Sequence, residues 1–210
     1  PRALPGQDRQ AGNGAPSRLL SRRMPSAALL GWGGWRAAEL DELVRAHRQV
    51  GGTGPGRRYA TQQLNHAIAV AVAAHFQGFA RDIHTEIAQI LSAGSGGLAA
   101  VLANGLTSAR QLDRVNPTQR NLDIDFGRYM LVLSQAMLQR SNLTAGRFTR
   151  LNRLIAWRNG VAHQDRAKLA RLRTDYREAM GMRSCCSGLA HTMDHVLHDH
   201  LLGLLGSSPW

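Results

Sequence analysis

Lysine is nearly absent from this chain of 210 residues: Lys168 is the only one, so the formal net charge of +12 rests on arginine. The scarcity bears on residues 51–58, GGTGPGRR, which have the glycines of a phosphate-binding loop. They lack its Lys-Ser/Thr pair, contain Pro55 and follow a helical pattern instead of a strand, so the segment reads as a linker. Cysteine is limited to Cys185 and Cys186. Adjacent cysteines bond each other only in a strained geometry, which argues against a disulfide framework and predicts a reduced, cytoplasmic protein. Aromatic residues make up 5% of the chain and alternating β-branched runs are missing, which argues against a sheet. No run reaches the length of a membrane-spanning helix, so no membrane partner is predicted.

What is present in quantity is arginine and aliphatic carbon. A hydrophobic share of 43% over 210 residues is enough for one domain with a real core. The arginine surplus favours a polyanionic partner, nucleic acid or an acidic protein, over plain solubility. Residues 1–34 are rich in Pro, Gly, Arg and Ser without helical or strand period. They predict a flexible tail or residual vector sequence, with Met24 as a candidate true start. Ser21-Arg22-Arg23 ahead of a short apolar stretch has the outline of a twin-arginine export signal, but Gly31, Gly33 and Gly34 interrupt the apolar part. The domain proper is placed at residues 35–210.

From residue 35 the spacing turns helical. Leu40, Leu43 and Val44 predict a first helix over residues 35–50. Residues 59–92 carry the longest pattern, with Leu64, Ile68, Val72, Phe76, Phe79, Ile83 and Ile90 at 3.6-residue spacing. His75 lies near that face, where a half-buried core histidine is its default role. Residues 98–112 predict a short helix or two, closed by Asn116-Pro117. Phe126, Met130, Leu133 and Met137 predict another helix over 126–140, and Ser141-Asn142 offers the cap of the next. The sum is an all-α fold, a single compact bundle of about five or six helices.

The most informative stretch is residues 151–165, LNRLIAWRNGVAHQD. Phe148, Leu151 and Ile155 share one stripe, and Arg158 is its next member. A guanidinium in place of a core leucine is costly unless it is paired or reaches a wet cleft. Arg158 is therefore either an internal salt-bridge residue or the floor of a site. Asn159-Gly160 is a natural helix stop, because both residues tolerate the left-handed conformation. In a continuous helix residues 158 and 163 would point about 140° apart. A break at 159–160 lets the chain fold back and bring the His163 imidazole to the guanidinium.

Arg158-Asn159-Gly160-Val161-Ala162-His163 resembles the arginine–polar–x3–histidine signature of the HEPN superfamily, all-α domains that include many prokaryotic metal-independent ribonucleases. The long upstream pattern LNHAIAVAVAAHFQGFARDIHTEI is similar to the second helix of the branch labelled RiboL-PSP-HEPN. The resemblance spans residues 35–205. Relatives of that branch often carry an acidic and a tyrosine residue where this chain has Gln77 and Phe79. HEPN toxins silenced by nucleotidyltransferase partners carry a tyrosine two residues past the histidine, where this chain has Asp165.

The resemblance implies an endoribonuclease that needs no metal or other cofactor. RNA supplies its own nucleophile, the 2′-OH beside the scissile phosphate. The enzyme supplies a base, an acid for the leaving 5′-oxygen, and positive charge for the transition state. His163 is implied as base or acid, and Arg158 as the donor fork on the phosphoryl oxygens. Asn159 would orient the phosphate or the imidazole, and the products would be a 2′,3′-cyclic phosphate and a 5′-OH. The family further implies RNA as substrate, a homodimer with two Arg/His sets lining one cleft, and a toxin or phage-defence role under an antitoxin or other regulatory protein. Arg147, Arg150, Arg153 and Arg166 are the candidate contacts to the RNA backbone.

Two other readings stand beside this one. The first is a non-catalytic HEPN module that binds RNA, nucleotide or a protein. The second rests on residues 191–200, HTMDHVLHDH, where His191, Asp194, His195 and His198 share a helical face and His191/His195 have the i, i+4 spacing of zinc ligands. Leu189, Met193, Val196, Leu197 and Leu204 hold the opposite face together with His200, which is either turned to the core near Arg158 or a buried neutral histidine. An amphipathic helix with histidine on its polar side explains the pattern, and no metal is predicted.

Overall fold

A computed structural model describes residues 23–51 and 58–210, so residues 52–57 of the linker predicted at 51–58 and residues 1–22 of the tail predicted at 1–34 lie outside the described residues. Among the described residues every regular element is helical and none is a strand, as the missing β-branched alternation predicts. Helix α1 (Ala27–Gly31) passes through a π-helical turn (Trp32–Arg36) into α2 (Ala37–Val50). There follow α3 (Arg58–Ser92), α4 (Ala99–Thr107), α5 (Gln119–Phe126), α6 (Leu133–Arg140), α7 (Thr144–Ala162), α8 (Arg166–Ala170) and α9 (Tyr176–Leu205). Seven of these described helices run to eight residues or more, against the five or six predicted, because residues 98–140 are cut into shorter pieces.

Helix α3 is the axis, with α1, α2, α4, α7 and α9 packed around it. Its predicted stripe supplies the centre of the core: Ile68, Val72, Phe76, Phe79 and Ile83 are fully buried, while Ile87 takes the deep position expected of Ile90. The opposing wall is α9, which buries Met182, Cys186, Leu189, Met193, Leu197 and Leu201. Cys185 and Cys186 are both free thiols inside that wall.

Three expectations are corrected. Residues 23–34 are not a tail. Ser26 caps α1 by accepting the Leu29 N–H on its hydroxyl, and the Glu86 carboxylate accepts the Ala27 and Ala28 N–H groups at 2.9 and 3.0 Å. Carboxylate at a helix N-terminus is favoured by both hydrogen bonding and the helix dipole. Trp32 then seats edge-on against Phe76 and Phe79. The glycines that hid this helix are used in its kink, where Gly34 leaves helical geometry.

Met130 is the second. It lies 83% exposed at φ 58, where the chain breaks after the 3-10 turn Gly127–Tyr129, and Tyr129 takes the core place instead. The third concerns length: the helical stretch Ala60–Thr107 is long and apolar enough by composition to cross a membrane. It is not one rod, since Gly96 at φ 54 separates α3 from α4.

A buried polar network ties α3 to α5. The Nε2–H of His84 donates to the Asp125 carbonyl at 3.1 Å, and the Tyr129 hydroxyl lies 3.0 Å from Nδ1 while donating to the His84 carbonyl at 2.7 Å. The Asp125 carboxylate accepts the Gln111 and Leu112 N–H groups, both at 2.8 Å. Burial pushes the His84 imidazole down to about 4.

Candidate functional site

Helix α7 buries Thr144, Phe148, Leu151, Leu154, Ile155, Trp157 and Gly160. Arg158 follows Trp157 near the end of the helix and is half-buried. Its Nη1 donates to the Asn159 side-chain oxygen at 3.1 Å. Asn116 donates to the same oxygen at 3.2 Å, and Asn121 in turn donates to the Asn116 carbonyl at 2.8 Å. Asn159 is thus pinned to the segment leading into α5, and Arg158 is pinned to Asn159. Among the described residues no carboxylate forms an ion pair with Arg158.

The helix does not stop at Asn159-Gly160. It runs to Ala162, with His163 as its cap: the His163 N–H bonds the Asn159 carbonyl at 3.0 Å, and the Asp165 N–H closes on the Gly160 carbonyl at 2.9 Å. The left-handed residue is Gln164, at φ 53. Gly160 has a different task. A Cβ there would lie 2.9 Å from Leu169 Cδ2, so the missing side chain is the notch into which α8 docks. Asp165 caps α8 by accepting the Lys168 N–H at 2.9 Å. Because the helix continues, the Arg158 and His163 side chains leave it about 140° apart, and the expected fold-back of imidazole onto guanidinium does not occur. His163 is exposed, and among the described residues its ring makes no hydrogen bond.

On another side of the same helix end lies a cleft of about 630 Å³ lined by Gln63, His66, Val161, Gln164, Arg166 and Leu169. His66 was not singled out from sequence. Its Nδ1 accepts the Trp157 indole N–H at 2.8 Å. An indole nitrogen can only donate, so Nδ1 carries the lone pair and the proton sits on Nε2, 3.3 Å from the Gln62 amide. Burial pushes this imidazole below its ordinary value, which favours the neutral form the indole bond requires. The usable signal was Trp157 itself: an indole on a core-facing stripe needs an acceptor among the opposing residues.

The four arginines proposed for RNA divide. Arg147 donates to the Gly188 carbonyl and the Thr192 hydroxyl at 3.2 and 3.3 Å, and its guanidinium lies over Gly188, where a Cβ would meet Cζ at 2.4 Å. It fastens α7 to α9. Arg150 is exposed and rests on Gly181, and Arg153 pairs with Glu178 at 3.3 Å. Arg166 is exposed at the cleft. Gln77 and Phe79 are structural: Gln77 donates to the Leu112 and Val115 carbonyls, and Phe79 is core.

The C-terminal histidines are dispersed. His191 and His195 are exposed, whereas His198 is buried against Trp210 and within 3.2 Å of both Asp199 and Ser208. Asp194 is buried too, because the segment before α1 covers it: Arg23 donates to its carboxylate at 2.8 Å and the Ser26 N–H at 3.0 Å. The expected polar face of α9 is therefore partly interior. His200 donates from Nε2 to the Tyr129 carbonyl at 2.8 Å, and so belongs to the α6 side of the bundle. Among the described residues no three His, Cys, Asp or Glu side chains converge as a metal would require. His75 is paired with Glu39 at 3.3 Å and set against Trp35.

Comparison of the chain with protein-family models, curated proteins and solved structures gave no match.

Proposed function

We propose that this protein is a metal-independent endoribonuclease of the HEPN type. The observation that carries the reading is Arg158: a half-buried guanidinium on the rim of the core, bonded to an amide and to no carboxylate among the described residues. A desolvated cation without a counter-charge is stabilised by an anionic ligand, and the planar fork of arginine fits two phosphoryl oxygens. Five residues on, His163 offers an exposed imidazole with no hydrogen-bond partner among the described residues. In the proposed reaction His163 takes the 2′-OH proton, the 2′-oxygen bonds to phosphorus, and the P–O5′ bond breaks. The departing 5′-oxygen takes up a proton, leaving a 2′,3′-cyclic phosphate and a 5′-OH.

The divergence of the two side chains bears on assembly. A cleft that uses both groups draws Arg158 from one copy and His163 from another, which makes the active form a homodimer about a two-fold axis. RNA is the substrate, and a toxin or defence role under a regulatory protein partner is part of this reading. The same divergence favours a second reading, a non-catalytic module that binds RNA or nucleotide through Arg158 and Arg166.

Cleavage of a single-stranded RNA in EDTA separates the two. The wild type is expected to cut and both Arg158→Ala and His163→Ala to lose cutting, whereas a 2′-deoxy residue at the scissile position blocks the reaction. Mixing the two inactive variants restores part of the activity when the groups act from different copies. Undiminished cutting by both variants, or a strict need for added metal, rejects the assignment.

A further inference from the structure

We propose that the cleft lined by Gln63, His66, Val161, Gln164, Arg166 and Leu169 is a nucleobase pocket, holding the base of the nucleotide whose phosphate lies at His163; this rests on the ribonuclease reading and gives it a specificity determinant. The volume of about 630 Å³ lies within the range of small-ligand sites. Val161 and Leu169 are partly buried against the core and present aliphatic surface to a ring face. The amides of Gln63 and Gln164 each offer a donor and an acceptor, the pairing that base edges present, and Arg166 adds a cation for the attached phosphate.

The lining is also preorganised. His66 is held in one tautomer by the Trp157 indole, so what it has to offer is a donor: the Gln62 amide nitrogen 3.3 Å from Nε2 is itself a donor, committed to Thr174, and cannot accept the Nε2–H. The α8 side of the cleft is seated by Leu169 against Gly160, where an added Cβ would lie 2.9 Å from Leu169 Cδ2 and force that side chain to move. Gln164 is held at φ 53, a conformation in which glycine would be the relaxed choice. A long amide kept there against the backbone preference fits a side chain selected for what it touches. Val161 and Gln164 line the cleft and lie within two positions of His163 in sequence, so the proposed base site and phosphate site share one helix end.

The test is a titration of the full chain with adenosine, guanosine, cytidine and uridine 3′-monophosphates, and with ribose phosphate lacking a base, followed by amide NMR. The expected result is base-selective binding that shifts the side-chain amides of Gln63 and Gln164. Gln63→Ala and Gln164→Gly should each weaken the preferred nucleotide about fivefold, the worth of one hydrogen bond. Both positions are exposed, and glycine relieves the positive φ, so neither variant threatens the fold. Equal binding of ribose phosphate and all four nucleotides, or wild-type affinity in the double variant, overturns the pocket. Base-selective binding by a protein that cuts no RNA would overturn the ribonuclease reading instead and leave the pocket. Cleavage without base preference, unchanged in the double variant, would do the reverse.

Discussion

His84 should make this fold sensitive to mild acid. Its imidazole is fully buried among Phe126, Tyr129 and the Asp125 carbonyl, and burial depresses its folded value from 6.5 to about 4. The unfolded chain then binds a proton more readily than the native one over that interval. Stability contributed by the neutral ring is complete above pH 6.5 and is lost as pH falls towards 4, below which the loss levels off. At about 1.4 kcal/mol for each pH unit of difference, the total is about 3 kcal/mol. A domain of this size has roughly 5–15 kcal/mol in all, so the effect is measurable.

Glutamine is the informative replacement, since its amide can donate to the Asp125 carbonyl in place of the imidazole but does not titrate. Urea unfolding of the wild type and His84→Gln between pH 7.5 and 4 gives the comparison. The variant is expected to be less stable at pH 7.5 through imperfect packing, and to lose about 3 kcal/mol less than the wild type on acidification. His66, His75 and His195 are also lowered chiefly by burial, but they remain in both proteins and cancel in the difference. Parallel pH profiles for the two proteins would refute the reasoning.

Trp157→Phe removes the donor that holds the lone pair of His66, and should cost about 1–3 kcal/mol while releasing the ring from a single tautomer. The ring-nitrogen NMR shifts of His66 check it, and an unchanged tautomer in the variant would show that the indole bond does not set it. Arg147→Ala should destabilise by about 1–2 kcal/mol through loss of its α9 contacts and leave RNA affinity unchanged. Arg166→Ala should do the opposite: thermal stability within about 0.5 kcal/mol of wild type, and a salt dependence of RNA binding shallower by about 0.7 in the log–log slope.

Helices with a long uninterrupted period were legible, α3 most of all, because burial on a rigid 3.6-residue repeat leaves its mark in composition. The start of the domain was not. Its first helix depends on Glu86 and Asp194, residues far away in sequence that satisfy its free N–H groups, and nothing local to residues 23–34 announces them. The same omission misplaced the polar face of α9, since the segment read as a tail is what buries Asp194. Arg158 was legible as a cation at the end of a core stripe. Its environment was not, because Asn159, which holds it, is pinned by Asn116, 43 residues before Asn159.

Gly160 shows why the site itself was harder to read than the fold. Glycine serves equally where a backbone turns left-handed and where another element must come close, and one sequence position does not distinguish the two. Here the deciding residue is Leu169, on the short helix that packs into the notch. Once the notch reading holds, α7 stays rigid through Ala162, and the angle between Arg158 and His163 is set by helix geometry instead of a loop. A rigid helix cannot be adjusted by small backbone movements to bring the two groups together. Joint use of guanidinium and imidazole is thereby tied to the proposed second copy, while Leu169 against Gly160 seats the α8 side of the neighbouring cleft.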